Sequence, residues 1–299
     1  MKKIIVITGP TGVGKTKLSV SLAKKLNAEI INADSMQIYK DLNIGTAKIT
    51  EDEKEDIPHH LFDIKSIDED YSIYDYQIDA RNKIKDITSR NKRIIFVGGT
   101  GLYIKSALYD YKLNKENIND NYDNLSCEEL YNKLIKLDKN IVIDKNNKRR
   151  LIRALNYYKE NNKSISDNKT NKLLYDVIVI GLTTSRDKLY GIINSRVDKM
   201  IDNGLIDEVK YFYDNNVFTK PLISGIGYKE LYKYFDNEIS LEESIDLIKK
   251  NSRHYAKRQY TFFNNQMSVK WFNVCFDNFN NTINEVYNYI KECDNNEEI

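Results

Sequence analysis

The 299-residue sequence predicts an α/β fold, with a parallel sheet flanked by helices and interrupted by an all-helical insertion. Two observations support this prediction. Over roughly the first hundred residues, short runs rich in Ile and Val alternate with segments of helical spacing, which is the pattern of a parallel sheet. From about Asn114 to Lys172 such runs disappear and helical spacing dominates. We therefore predict a core of residues 1–113 and 173–299, and an insertion of residues 114–172.

Each predicted element of the first part follows from the spacing of its apolar residues. Lys3–Thr8 is a nearly continuous apolar run, which is typical of a strand buried on both faces. Thr16–Leu26 follows it, with Leu and Ala residues on one face of a helix. Glu29–Asn32 is a second short strand, Tyr74–Arg90 a second amphipathic helix, and Arg93–Val97 a third buried strand. This β-α-β-α-β order predicts parallel pairing.

The rest of the chain is predicted to be mostly helical. The insertion contains two helical segments, Glu128–Leu137 and Lys148–Glu160, and Tyr175–Leu182 then returns to a buried strand. Four amphipathic helices are predicted after that strand: Arg186–Asn203, Ile206–Asn215, Lys229–Phe235 and Leu241–Phe263. The acidic and polar end of the chain, Lys291–Ile299, is predicted to be frayed.

The composition excludes several classes of protein. Hydrophobic residues make up 41% of the chain, which is enough for a core and excludes a disordered protein. Lys and Arg total 46 against 44 acids, so the net charge of +2 excludes a histone-like polycation. Cys127, Cys275 and Cys293 have neither disulfide nor zinc spacing. The apolar run near Met1 is too short for a signal peptide, and no window predicts a membrane span. We expect a cytoplasmic protein without a membrane partner.

A phosphate-binding loop follows the first predicted strand. The motif G-x-x-x-x-G-K-[ST] is matched at every fixed position by Gly9-Pro10-Thr11-Gly12-Val13-Gly14-Lys15-Thr16. Its backbone N–H groups and the N-terminus of the next helix suit phosphate oxygens. Lys15 is predicted to neutralise phosphate charge, and Thr16 to hold Mg²⁺. The motif predicts a P-loop NTPase or kinase-like core that binds a nucleotide or another diphosphate, without saying which.

One carboxylate is predicted to lie beside this loop. The third strand ends in Gly98-Gly99-Thr100 and lacks the acid of an ordinary P-loop ATPase, whereas the second strand is followed by Asp34. In parallel sheets the active site lies at the carboxyl ends of the strands, so Asp34 is a candidate base or metal-side carboxylate. This arrangement favours group transfer over motor-type hydrolysis. A small-molecule kinase and a diphosphate-releasing transferase both remain open.

Two local patches of basic residues favour an RNA partner. Residues 139–163 contain eight basic and two acidic residues, a local charge of +6, and Arg149 and Arg153 share a helix face. Residues 249–270 contain six basic residues and no acid. The second patch is interleaved with aromatic residues: Tyr255, Tyr260, Phe262 and Phe263. Cations with aromatic rings suit a phosphate backbone and unstacked bases.

Several ordered blocks of the sequence identify a family. They are GPTGVGKT (9–16), INADSMQIYKDLNIGTAK (31–48), PHHLFDI (58–64), VGGTGLY (97–103), RRLIRAL (149–155), INSRVDKMIDNGLIDEV (193–209), GIGYKE (225–230) and AKRQYTFF (256–263). With these blocks the chain resembles the tRNA dimethylallyltransferase family, also called tRNA isopentenyltransferase, in its bacterial form. The resemblance implies transfer of a dimethylallyl group from dimethylallyl diphosphate to the exocyclic amine of the adenosine on the 3′ side of the anticodon. It also implies a P-loop core, Mg²⁺, and an insertion that binds the anticodon stem-loop.

The resemblance assigns roles to matching positions. It implies that Gly9–Thr16 binds the diphosphate, with Thr16 on Mg²⁺, and that Asp34, Thr11 and Arg196 are the catalytic residues. Asp34 is the implied general base, and Arg196 the implied ligand of the leaving diphosphate. Further residues are implied to contact the tRNA or line its channel: Ser35, Met36, Gln37, Thr100, Arg149, Arg150, Leu151, Ile152, Arg153, Lys257 and Arg258, with the ranges Ser224–Lys229 and Arg253–Tyr260.

The sequence also departs from the family pattern. Phe262-Phe263-Asn264 stands where relatives often have Trp-Phe-Arg, so the resemblance does not carry over one cation that would face the tRNA. We expect the bacterial form, without a C-terminal zinc-binding extension. An isopentenyltransferase that acts on a free adenine nucleotide, a small-molecule P-loop kinase and a non-catalytic RNA-binding module remain alternatives. We expect a monomer.

Overall fold

The chain forms two compact units. The structure is a computed structural model that describes residues 2–111, 113, 122, 124–165 and 169–295. The first unit comprises Met1–Ala107 with Tyr175–Ile299, and the second comprises Leu108–Leu174. The second unit therefore begins and ends a few residues outside the predicted insertion of residues 114–172.

Strands and helices alternate over the first hundred residues, and the predicted β-α-β-α-β elements occur there in the predicted order, with one further short helix and one further short strand added between them. The strands of the described residues are β1 (Ile4–Thr8), β2 (Ala28–Asn32), β3 (His59–His60), β4 (Arg93–Val97), β5 (Tyr109–Tyr111), β6 (Lys169–Leu173), β7 (Val177–Thr183) and β8 (Lys270–Asn273). The helices are α1 (Lys15–Leu26), α2 (Glu51–Lys54), α3 (Ile73–Ser89), α4 (Gly101–Leu108), α5 (Cys127–Leu137), α6 (Lys148–Asn161), α7 (Arg186–Asp202), α8 (Leu205–Asp214), α9 (Lys220–Ser224), α10 (Tyr228–Phe235), α11 (Leu241–Gln266) and α12 (Phe279–Asn295).

A parallel sheet forms the centre of the first unit, and this confirms the predicted fold class. Its six strands lie in the order β3-β2-β4-β1-β7-β8, and each neighbouring pair is parallel. Ile5 of β1 lies opposite Ile95 of β4 and Ile178 of β7. All five residues of β1 are buried, as its uninterrupted apolar sequence requires when helices cover both faces.

The carboxyl ends of three strands meet at one edge of this sheet. Chain direction is shared, so the segments after β1, β2 and β4 leave from the same edge. Backbone hydrogen bonds join two of them: the Ala33 N–H donates to Val97 O at 2.8 Å, and the Thr100 N–H donates to Ala33 O at 3.0 Å. A Cβ atom on Gly98 would lie 2.2 Å from the Ala33 backbone, so only glycine allows this approach. The functional segments are thereby held side by side.

The second unit is built on two helices but is not all-helical. Helices α5 and α6 pack through a small apolar core that includes Leu130, Leu134 and Leu155. The ends of the unit, β5 and β6, pair as an antiparallel ribbon, so the expectation of an all-helical insertion was wrong. Two chain segments that run side by side satisfy each other's backbone N–H and C=O groups by pairing. Strands this short carry no apolar run that would reveal them in the sequence.

The sequence missed several elements and misjudged the C-terminal end. Strands β3 and β8, the short helices α2, α4 and α9, and the 17-residue helix α12 were not predicted. Residues from Lys291 to Asn295 belong to α12 and are not frayed; the remaining tail, residues 296–299, lies outside the described residues. Asp294 accepts hydrogen bonds from Nη1 and Nη2 of the buried Arg93, at 2.7 and 2.9 Å. Among the described residues, no helix is both long and apolar enough to cross a bilayer.

The pairing of Arg93 with Asp294 is expected to stabilise the fold. Asp294→Ala leaves the Arg93 guanidinium, whose side chain is 3% exposed, without its carboxylate, and should lower the free energy of unfolding by about 1–3 kcal/mol. Urea denaturation measures the change. Asp214→Ala is the matched control, because Asp214 pairs with Lys210 on the exposed surface, and should cost less than about 0.5 kcal/mol. Equal losses in both variants would contradict this role.

Candidate active site

A cavity of about 830 Å³ lies at the carboxyl ends of the parallel strands, within the first unit. Its lining brings together residues that are far apart in sequence: Thr11 and Lys15 of the phosphate loop, Asp34 after β2, Arg196 of α7 and Gln259 of α11. The topology explains this meeting, because ligands of open parallel sheets bind outside the carboxyl ends of the strands.

The phosphate loop has a backbone that requires glycine at two points. Gly9 has φ 136°, and a Cβ atom there would lie 2.5 Å from Leu182 O. Gly14 has φ 90° and stands immediately before α1, whose N-terminus has no side-chain cap. The Lys15 ammonium donates to Gly9 O at 3.0 Å and to Pro10 O at 2.8 Å. The loop therefore presents backbone N–H groups, a helix N-terminus and a cation at one place, as an anion site requires.

Lys15, Arg196 and Asp34 influence one another electrostatically in the cavity. Burial, and secondly the charge of Arg196, lower the pKa of Lys15 to about 8, and Asp34 partly opposes this shift. Burial also lowers the pKa of Arg196, again against the attraction of Asp34. Both cations are thus held at a cost that a single carboxylate does not cancel. An anionic group placed between them would relieve that cost.

The backbone after β2 fixes the position of Asp34. The Asp34 N–H donates to Asn32 Oδ1 at 2.8 Å, and the Asn32 amide in turn donates to Leu61 O at 2.9 Å. The Met36 N–H donates to Asp34 Oδ1 at 3.0 Å. One carboxylate oxygen is therefore oriented by the turn itself, and the group lies in a cavity where a proton acceptor can meet a substrate.

Two side chains of α11 form another part of the cavity lining. The Gln259 amide donates from Nε2 to Gly99 O at 3.1 Å, which fixes its orientation because a carbonyl accepts only from the nitrogen. Its Oε1 is buried and has no hydrogen-bond partner among the described residues. Burial, and secondly Asp34, raise the pKa of Tyr255, so its phenol stays a hydrogen-bond donor. The sequence named Tyr255 among the aromatic residues of the second basic patch, whereas Gln259 was marked only as part of the range Arg253–Tyr260.

Most of the predicted site residues of the first unit do meet in this cavity. The predicted residues among its lining include Thr11, Gly12, Gly14, Lys15, Thr16, Asp34, Ser35, Met36, Gln37, Arg196 and Arg258, together with the whole range Ser224–Lys229. Thr100 is tied to the same segment, since its Oγ1 accepts from the Ser35 N–H at 3.1 Å. The Val13 side chain instead belongs to the hydrophobic core, which leaves only its backbone for a ligand. Lys257 is exposed on α11.

The aromatic residues of the second basic patch do not all have the predicted role. Phe263 is fully buried in the core. The Tyr260 hydroxyl is hydrogen-bonded to Thr183 Oγ1 at 2.7 Å, and its ring packs on Trp271. The Phe263 ring is therefore not available to stack on a base, because a 26-residue helix that packs on a sheet must bury one face and Phe263 lies on it, whereas Tyr260 is half-buried.

The predicted RNA-contacting residues of α6 lie on different faces of that helix. Arg149 and Arg150 are exposed, and Arg153 is half-buried. Leu151 is fully buried in the core of the second unit, and Ile152 packs against the same core. The prediction that Leu151 contacts tRNA was therefore wrong. A contiguous block of residues on a helix cannot all face one partner, because neighbouring side chains point about 100° apart.

Comparison with known proteins identifies relatives along nearly the whole chain. Residues 37–266 match the family model described as IPP transferase. The chain is 50% identical over 300 residues to a tRNA dimethylallyltransferase of Anoxybacillus flavithermus, with 97% of this chain and 96% of that protein covered. It is 48% identical to the enzyme of that name from Bacillus subtilis, with 91% and 90% covered.

Solved structures agree with these relatives. The full-length tRNA isopentenylpyrophosphate transferase of Bacillus halodurans superposes with a TM-score of 0.77 at 41% identity, covering 100% of both chains. A eukaryotic dimethylallyltransferase, captured in crystals acting on tRNA, superposes with a TM-score of 0.79 at 32% identity over 91% of this chain and 74% of that chain.

The lowered pKa of Lys15 predicts proton-linked binding of diphosphate. When the pH exceeds the Lys15 pKa of about 8, Lys15 is mostly neutral in the absence of a bound anion. A bound anion raises the pKa of Lys15 again, so binding takes up a proton. Pyrophosphate affinity should therefore fall as the pH rises above this value. Titration calorimetry at about pH 9, in two buffers of different ionisation enthalpy, measures the uptake. Subtracting the proton uptake of the Lys15→Met variant from that of wild type removes the contribution of protons that pyrophosphate itself gains or loses on binding. Equal uptake by both would contradict the assignment.

Proposed function

The chain belongs to the IPP transferase family, and we propose that it transfers a dimethylallyl group from dimethylallyl diphosphate to the exocyclic amine of an adenosine in tRNA, with release of diphosphate. One observation supports this most directly: an anion-binding P-loop, two cations and one strand-end carboxylate line a single cavity. Incubation of unmodified tRNA with dimethylallyl diphosphate, followed by mass spectrometry of the nucleosides, tests the proposal.

The reaction explains why the cations dominate this cavity. An adenine amine is a weak nucleophile, since its lone pair is delocalised into the ring. The leaving diphosphate must therefore receive strong stabilisation while the bond from the allylic carbon to its oxygen breaks. The N–H groups of the phosphate loop, Lys15 and Arg196 supply it, because fixed donors and charges in a partly buried site stabilise developing negative charge. Their unrelieved positive charge in the free protein makes them selective for that anion.

Asp34 has the position expected of the general base. As the new bond from nitrogen to carbon forms, the amine nitrogen loses a proton, and a carboxylate beside it can accept it. The Met36 N–H holds Oδ1, so the carboxylate is oriented before the substrate arrives. A positioned general base contributes roughly 10²–10⁴-fold to a rate.

Mg²⁺ fits this site as a companion of the diphosphate. The described residues contain no group of three His, Cys, Asp or Glu residues that could hold a metal by themselves. Mg²⁺ is commonly bound by one or two protein oxygens together with substrate phosphates and water. The Thr16 hydroxyl, exposed in the first turn of α1, is the side chain that would hold it. Bound there, the ion would neutralise charge on the departing diphosphate.

The tRNA is proposed to bind through its anticodon stem-loop to exposed cations. Arg149 and Arg150 of α6, in the second unit, and Lys257 and Arg258 of α11 are exposed and have the charge that a phosphate backbone requires. A loop nucleotide must unstack to bring its amine to Asp34, at a cost of a few kcal/mol that such contacts offset. We propose that the protein acts as a monomer in the cytoplasm, where its tRNA substrate is found.

Removal of the Asp34 carboxylate is expected to stop transfer without stopping binding. Asp34→Asn should lower kcat by about 10²–10⁴-fold, because the amide cannot accept the amine proton. Affinity for tRNA, measured by filter binding, should stay within about threefold, since the substitution removes no cation that could contact a phosphate.

Asp41→Asn is the matched control for this variant. Asp41 is exposed and has φ 65°, a conformation that Asn also adopts, so the same substitution there should leave kcat unchanged. An Asp34→Asn enzyme with near-normal kcat would show that another group accepts the proton.

The arginines of α6 are expected to control the salt dependence of tRNA binding. Arg149→Ala combined with Arg150→Ala should weaken binding and reduce the slope of log Kd against log salt by about 1–2, one phosphate contact for each arginine. Lys210→Ala with Lys233→Ala removes the same charge from lysines that are already paired with Asp214 and Glu238. The control should keep the slope of wild type, and an identical slope in both double variants would refute the assignment.

A further inference from the structure

The loop segment Asn43–Ala47 forms part of the cavity lining without belonging to any helix or strand. Gly45, Thr46 and Ala47 line the same cavity as Asp34 and Arg196. Local hydrogen bonds, such as that from the Ala47 N–H to Ile44 O at 2.9 Å, shape the segment, and side chains from elsewhere attach it to the rest of the protein. The groups that hold it therefore influence the shape of the site without touching a substrate.

The Glu208 carboxylate of α8 holds this segment through three successive backbone amides. Its Oε2 accepts from the N–H groups of Asn43 at 3.0 Å and Ile44 at 2.7 Å. Its Oε1 accepts from the Gly45 N–H at 3.0 Å. Consecutive N–H groups that converge on one anion form a strong, charge-assisted site, here occupied by a carboxylate of the same chain.

Tyr228 completes the coordination of that carboxylate. Its hydroxyl donates to Glu208 Oε1 at 2.6 Å, and its side chain is fully buried. Burial, and then Glu208, raise the pKa of the phenol, so it remains a donor. A Cβ atom at position 45 would lie 2.6–2.7 Å from the Tyr228 ring, so the segment can approach only as glycine. Tyr228 thus contacts both the Glu208 carboxylate and the backbone at Gly45.

The same segment is hydrogen-bonded to Gln37, a residue that the family resemblance implies in tRNA binding. The Gln37 amide donates to Thr46 O at 3.1 Å and to Ala47 O at 3.3 Å. Gln37 also lines the cavity and lies three residues after Asp34. A displacement of the segment would therefore carry this side chain with it. Glu208 itself is not among the residues that line the cavity.

We propose that Glu208 is a positioning residue for the transfer reaction: it holds Asn43–Gly45, and through Thr46 and Gln37 it sets the part of the cavity that receives the tRNA nucleotide. The proposal rests on the proposed function, because it concerns the same site. It implies that the phosphate loop, which Glu208 does not contact, works independently of it. Small errors in the position of a binding surface cost large factors in rate, which gives the residue an effect on turnover from outside the cavity.

Glu208→Gln tests this inference because it keeps the shape and replaces one accepting oxygen by an NH₂ group. Facing backbone N–H groups, that NH₂ repels the segment. We expect kcat/KM for tRNA to fall by about 10–100-fold, while the KM for dimethylallyl diphosphate and the affinity for pyrophosphate change by less than about twofold. Hydrogen exchange of the peptide that covers residues 37–48 should become faster, and that of residues 9–26 should not change.

Glu243→Gln is the matched control. Glu243 also accepts a backbone N–H, from Ser240 at 2.8 Å in the cap of α11, but it is not part of the cavity lining. This variant should have the kcat/KM for tRNA of wild type, and its melting temperature should be comparable with that of Glu208→Gln. A Glu208→Gln protein with unchanged exchange in residues 37–48 overturns the inference, whether or not the wild type transfers. Unchanged kcat/KM, or an equal loss in the control, overturns it as well. A wild type without transfer activity refutes the proposed function separately.

Discussion

The candidate site depends on two partly buried cations, Lys15 and Arg196, whose charged forms Asp34 only partly stabilises. Both side chains line the same cavity as Asp34. Burial lowers the pKa of both cations, which shows that their charged forms are held at a cost. The phosphate loop offers only carbonyl oxygens of Gly9 and Pro10 as direct partners of Lys15. An anionic leaving group is the partner that this arrangement lacks, so the same imbalance explains both substrate binding and catalysis.

The parallel sheet makes this arrangement possible. Loops after β1, β2 and β4 leave from one edge, and backbone hydrogen bonds at Ala33 and Thr100 fix their separation. Gly98 permits that approach, since any side chain there would collide with Ala33. Asp34 and the phosphate loop therefore lie on short loops that follow paired strands, which limits how far either can move. Such support is what a reaction with a weak nucleophile requires.

Helices from the C-terminal half supply what the sheet alone does not. Helix α7 contributes Arg196, α8 contributes the carboxylate that holds Asn43–Gly45, and α11 contributes Gln259. None of these three side chains is close in sequence to the phosphate loop. The cavity is thus lined both by residues that precede the insertion and by residues that follow it.

The sequence by itself determined the P-loop, the parallel sheet and the position of Asp34 at the end of the second strand, because these depend on local patterns. An apolar run followed by a glycine-rich loop and a helix carries its conformation in consecutive residues. The family resemblance assigned Arg196 through the block around it, and the geometry places that residue in the same cavity.

Only the tertiary structure decided which members of each patterned block face the site. Leu151 and Phe263 lie in basic blocks but are buried, since one face of every packed helix must be. The β5–β6 ribbon and the pairing of Arg93 with Asp294 join residues distant in sequence, and no local pattern announces such contacts. The same holds for Glu208, whose role arises from amides more than 160 residues away.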